Sequence, residues 1–157
     1  MIGHPDKQSF TKKEWRIIQS LKTPYRVQRY FSAMPYNWER EGGTLRSFRE
    51  VLKRNEAHCL EAAVGAAVML EQHGYSPLLM DIESVDLLDH VIFVFQHDGL
   101  WGSIGRSRDI GLHGRRPLFR RLRDLASAAG VLYMGKAINR PVVSAFGQTG
   151  HRADIAE

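Results

Sequence analysis

The chain has little cysteine, little lysine and no long apolar run. One cysteine, Cys59, stands among 157 residues. That count excludes an intramolecular disulfide and a cysteine-built zinc cluster, and fits a reducing compartment. No stretch approaches the ~20 apolar residues that a membrane-spanning helix needs. Met1 to Lys7 carries no apolar core of the kind a signal peptide requires. These absences predict a cytoplasmic protein. The seven histidines show no i, i+4 pairing of the kind that grips a metal, so neither a metal nor another cofactor is expected. There is no internal repeat and no domain linker.

What remains is the composition of an ordinary globular domain, 43% hydrophobic and 25% charged. The net charge of +5 is carried by arginine rather than lysine. Arg106, Arg108, Arg115, Arg116, Arg120, Arg121 and Arg123 crowd one stretch. Such a cluster is a candidate site for an anionic partner, nucleic acid or acidic protein. The plainer reading is a solvated helix face, because aromatic residues do not interleave the basic ones.

Periodicity organises the chain. Thr11-Lys12-Lys13-Glu14 has capping-box spacing, and Trp15, Ile18 and Leu21 follow at helical intervals. Pro24 opens a second helix with Val27, Tyr30 and Phe31 on one face. Thr44 is placed to cap a third, with Leu45, Phe48, Val51 and Leu52 inward. A fourth begins near His58 and is small-residued nearly all round, as a central, closely packed helix would be. Gly74 suits its left-handed end. The period then changes to that of strands at 78–82, at 91–95, and from Leu100 to Arg106, the last two joined by an Asp98-Gly99 hairpin turn. Pro117 starts a last helix over 117–129, with Leu118, Leu122 and Leu125 inward. Val131 to Met134 is a strand or a helix extension. The fold class is α+β, with helices packed on a small antiparallel sheet. One domain is expected over 1–147, with a helical part 10–54, a core 55–110 and the C-terminal helix, followed by a flexible tail 148–157.

Cys59 therefore opens a helix, where unpaired N–H groups and the helix dipole favour a thiolate. A thiolate becomes a useful nucleophile beside an imidazole. His58 adjoins it in sequence, but neighbours on a helix do not face each other. His90, at the head of the most apolar strand, is the better partner. With Asp98 and Gly99 as turn residues, His90 falls opposite Ser107, with Cβ atoms ~5 Å apart. Ser107, or Asp109 brought in by a bulge, would orient the ring. Trp101, Ser103 and Gly105 share that face, and Trp101 and Ser103 are pocket candidates. An oxyanion hole would use the Cys59 N–H and a donor from Asn37, Asn55 or His58. His113 is a further histidine that could line the site.

The segments Ala57-His58-Cys59-Leu60-Glu61-Ala62-Ala63, His73-Gly74-Tyr75-Ser76-Pro77, and Asp89-His90-Val91 with Leu100-Trp101-Gly102 resemble the transglutaminase-like superfamily within the wider papain-like cysteine fold. The resemblance covers Thr44 to about Asp109 and points to a small bacterial-type subgroup without assigned substrate. It implies acyl transfer through a thioester on a peptide, protein or small amide substrate. Cys59 would be the nucleophile, and His90 would protonate the leaving amine. One departure stands out. The family's triad aspartate falls four residues after the tryptophan, and Gly105 occupies that place. A non-catalytic binding module using the arginine-rich surface is the competing expectation.

Overall fold

The computed structural model describes residues 5–82, 90–108, 110–130, 143–146 and 152–154. Helix α1, Lys12–Ser20, is capped by Thr11, whose side chain and that of Glu14 bond each other's backbone N–H in a full capping box. Pro24 is the first residue of α2, Pro24–Ala33, where Val27 and Phe31 are buried. Helix α3, Phe48–Arg54, begins three residues later than a Thr44 cap would put it, and Ser47 caps it instead. Thr44 is engaged elsewhere: its hydroxyl donates to Glu61 Oε1 at 2.8 Å and its N–H donates to Glu39. Leu45 is consequently exposed rather than inward.

Helix α4, Cys59–Glu71, is the central element. Its alanines at 62, 63 and 66 are fully buried, so neighbouring helices approach closely. At Gly65 a β-carbon would lie 2.6 Å from the ring of Phe31, a residue with no exposed surface. Only glycine fits that contact. After the helix the chain turns through Gly74 at φ +85°.

Strands β1, Leu78–Ile82, β2, His90–His97, and β3, Leu100–Ile104, form an antiparallel sheet that continues through β4, Val143–Phe146, and β5, Arg152–Asp154. The order is β3-β2-β1-β4-β5. Asp98 and Gly99 both have positive φ, as a two-residue I′ hairpin turn requires. The register runs from His97 opposite Leu100 to Phe93 opposite Ile104. A tail is expected from 148 onward, but 152–154 are a strand paired with β4.

Period-two alternation gives the sheet two apolar faces. Phe93, Phe95 and Ile104 pack against α4 and the N-terminal helices. Met80, Ile82, Ile92 and Val94 pack against α5, Leu122–Gly130, through Leu125 and Ala126. This last helix starts at Leu122, not Pro117. The residues before it instead run along the outer edge of β3, where Arg115 bonds Ser103 and Phe119 bonds Trp101 through the main chain. They cover an edge that would otherwise be open, and proline, lacking an N–H, is tolerated there. Leu118 is exposed as a result. The expectations for Val131 to Met134 and for Asp109 fall outside the described residues. Among the described residues no helix is long and apolar enough to cross a membrane.

Candidate active site

Cys59 is the first residue of α4 and is half-buried, with the start of β2 beside it. Burial alone would push its thiol up. Hydrogen bonds from the His58 and His90 imidazoles and from the Val91 N–H outweigh that and hold it down at about 6, against 9.0 for an ordinary thiol. At neutral pH the sulfur is a thiolate between two imidazoles. Its own N–H lies in the first turn, outside the helical ladder.

His90 is buried, and its Nε2 lies 3.0 Å from the Leu112 carbonyl oxygen. Donation from Nε2–H to that carbonyl leaves Nδ1 as the nitrogen open to the thiol. The β2–β3 ladder ends at Phe93–Ile104, three residues short of the expected His90–Ser107 cross-strand position. Ser107 is buried nearby, and its carbonyl accepts from Arg106 Nη1 at 2.7 Å. Gly105 lies against the imidazole. A β-carbon there would sit 3.4 Å from His90 Nε2 and 3.3 Å from the Leu112 oxygen. Gly105 thus leaves room for a main-chain carbonyl where the resemblance would put a carboxylate.

Gln28, on α2, holds that arrangement. Its amide donates to the Gly105 carbonyl at 2.9 Å and accepts from the Gly105 and Gly114 N–H groups at 3.0 and 3.1 Å. Gly114 is required by space, since a β-carbon there would collide with the Ser103 carbonyl and Gln28. Neither Gln28 nor Leu112 carries a signal in the sequence, because one acts through a long-range amide clamp and the other through its backbone.

His58 is not helical but is the N-cap of α4, with extended backbone that folds its ring over the first turn. Facing Cys59 is therefore open to it, contrary to the argument from helical neighbours. Its Nδ1 lies 3.3 Å from the Leu60 N–H, and its Nε2 lies 3.0 Å from the Thr44 carbonyl. Burial lowers its basicity, but pairing with the Cys59 thiolate, the Thr44 carbonyl and Glu61 raise it to about 9. Glu61 is fully buried and accepts from Asn37 Nδ2, the Thr44 hydroxyl and the N–H groups of Arg46 and His58. Burial opposes its ionisation, and these donors overcome it and keep its carboxyl below the ordinary value. The missed signal was His58-Cys59-Leu60-Glu61, capping-box spacing with histidine in the cap position.

Several candidates have structural roles instead. Asn37 spends both amide hydrogens on Thr44 and Glu61, so it is not an oxyanion donor. Asn55 is the exposed left-handed C-cap of α3. Trp101, opposite Gln96, lies six residues along the ladder from His90, roughly 20 Å away. Ser103 Oγ accepts from the Arg115 N–H. His113 packs between Ser32 and Arg106, and burial keeps its proton affinity low. The arginines do not share one helix face. Arg106 bonds the Met34 and Ser107 carbonyls and lies over Tyr36. Arg115 bonds the carbonyls of Gly111, His113 and Ala128. Arg121 pairs with Asp124, while Arg108, Arg116 and Arg120 are exposed.

No protein-family model matches the chain, and no curated protein matches it. Among solved structures it is similar to Legionella pneumophila LapG, at 13% sequence identity and a TM-score of 0.50, over 90% of this chain and 80% of LapG. At that identity the likeness speaks to architecture alone. The architecture is a papain-like α+β fold, with Cys59 at the N-terminus of its central helix.

Proposed function

We propose that Cys59 is the nucleophile of a thiol acyl-transfer centre, with His90 as its general acid–base, acting on an amide bond in a peptide, protein or small molecule. The observation that carries this reading is the setting of the sulfur. It is the first residue of a buried helix, hydrogen-bonded by two imidazoles and the Val91 N–H, with its thiol lowered to about 6. A cysteine serving only as core packing would sit among apolar groups and be pushed up instead. The Leu112 carbonyl takes the orienting part that an aspartate plays in the resembling family, holding one tautomer of His90. Attack on the amide carbon would give a thioester and release the amine, and water or a second amine would then resolve it. Such a thiol hydrolase or acyltransferase would work in a reducing compartment, which we take to be the cytoplasm.

The test is selective alkylation. One equivalent of iodoacetamide at pH 6 should label Cys59 many times faster than it labels a free thiol. Cys59→Ala should remove the labelling and any hydrolase activity while the fold is retained. Labelling no faster than that of a free thiol would exclude the proposal.

A further inference from the structure

We infer that Arg106 is a positioning residue: its guanidinium ties the chain beside Cys59 to the chain beneath His90 and so sets the spacing of the two. This deepens the reading of Cys59 and His90 as a working pair and rests on it. The Cys59 side is the segment 34–37. Ala57 N–H donates to the Pro35 carbonyl at 3.2 Å, and Asn37 N–H donates to the Ala57 carbonyl at 3.1 Å. Tyr36 and Ala57 thereby form a parallel bridge, two residues before Cys59. The His90 side is the segment 105–112. Its Gly105 packs against the imidazole and its Leu112 carbonyl lies 3.0 Å from Nε2. Arg106 follows Gly105 directly and reaches across. Nη2 donates to the Met34 carbonyl at 3.0 Å, and Nη1 donates to the Ser107 carbonyl at 2.7 Å. The guanidinium also lies over the Tyr36 ring, with Cζ 5.5 Å from its centroid.

Stability is a poor account of this side chain. Its Nε is buried with no hydrogen-bond acceptor among the described residues, and burial lowers its proton affinity. A desolvated cation with an unmet donor costs free energy that an apolar side chain of similar size would not. What the guanidinium supplies is geometry. Its planar fork holds two carbonyls, from positions 34 and 107, at one separation and one angle. A lysine ammonium is a point charge on a flexible stem and fixes neither. The contact that depends on this spacing is the one between sulfur and imidazole, and a hydrogen bond weakens steeply with distance and misalignment. The groups that face the sulfur are the His58 and His90 imidazoles and the Val91 N–H. Two of the three stand on the strand side, so loosening the strap withdraws both and leaves His58 in place.

The experiment is the pH dependence of iodoacetamide alkylation in the wild type, Arg106→Lys and Arg106→Gln, with thermal unfolding of each. Lysine keeps the charge and loses the fork, and glutamine loses both. The expected result is a wild-type midpoint near 6 that rises by about one pH unit or more in both variants. A rise in Arg106→Gln with the wild-type midpoint kept in Arg106→Lys would make the effect one of charge alone and overturn the inference. A lowered thermal midpoint with the alkylation midpoint unchanged in both would make Arg106 a structural fastener only, and would overturn it too. A wild-type midpoint at the free-thiol value would instead remove the nucleophile reading itself. Should both variants fail to fold, Tyr36→Leu loosens the same grip from the Cys59 side without touching the chain beneath His90. A raised alkylation midpoint there supports the inference, and an unchanged one overturns it.

Discussion

The two imidazoles that reach Cys59 are supported by different parts of the molecule. On the helix side, His58 sits on a buried polar network of side chains: Glu61, Thr44 and Asn37. On the strand side, His90 is held by main-chain groups, namely the Leu112 carbonyl and, behind it, Gly105 and Gly114 clamped by Gln28. A side-chain network supplies charge, so it can fix a protonation state. A main-chain clamp supplies direction without charge, so it can fix a tautomer and leave the proton mobile.

The widest effect should come from breaking the helix side. Glu61→Ala leaves Asn37, Thr44 and two backbone N–H groups without their acceptor inside the protein. Urea unfolding should show a loss of about 3–5 kcal/mol, the usual range for opening a buried charged network. A loss below ~1 kcal/mol would mean that water reaches these groups and that the network is not what holds His58.

The strand side should break differently. Gln28→Ala removes the acceptor of two backbone N–H groups and should cost about 1–3 kcal/mol. More telling, turnover should fall and the alkylation midpoint of Cys59 should rise from about 6, because the clamp orients the His90 imidazole that helps lower the thiol. Turnover and midpoint both unchanged in this variant would mean that the clamp does not position His90. Gly105→Ala is the finer probe of the same side. Its methyl would meet Ile92 Cγ2 at 2.9 Å and should cost about 1–2 kcal/mol, with turnover reduced as the Leu112 carbonyl is displaced from the ring.

Much of this was legible because local rules sufficed. The period-two runs, the Asp98-Gly99 turn and the Thr11–Glu14 box each specify their own geometry, and the hairpin register follows from the turn. The approach of Cys59 to the start of β2 follows from a helix start and a strand start. The rest depends on choices that residue type does not distinguish. Thr44 and Ser47 are both good caps, and only the buried Glu61 decides which is taken. Pro117 suits a helix start and a sheet edge equally, since both tolerate a missing N–H. His58 looked excluded as a neighbour of Cys59 because the N-cap differs from a helical position only in its backbone angles. Leu112 could not be found at all, since its side chain plays no part in the contact.

The pH behaviour of the site separates it from ordinary ion pairs. The thiol is lowered from 9.0 to about 6, and His58 is raised from 6.5 to about 9. Between ~6.5 and ~9 the folded state holds one proton on His58, and the unfolded state holds one on the thiol. Folding then takes up no net proton, so stability should be flat across that window while alkylation rises steeply through 6. Glu14 provides the contrast. Its carboxylate, on α1, is lowered to about 2, chiefly by the Arg49 guanidinium against the opposing effect of burial. Arg49 bonds it through Nε at 2.6 Å and Nη2 at 3.0 Å. A lowered carboxyl contributes stability above its unfolded value of 4.5 and loses it as pH falls through about 2. Glu14→Gln keeps the capping-box geometry and removes only the charge. Because Arg49 is more than half exposed, the loss at pH 7 should be only about 1 kcal/mol. The difference between wild type and variant should close between pH 4.5 and 2, with nothing happening near 6. A change near pH 6 in that variant would mean that the acid limb assigned to Cys59 reports on the fold and not on the thiol.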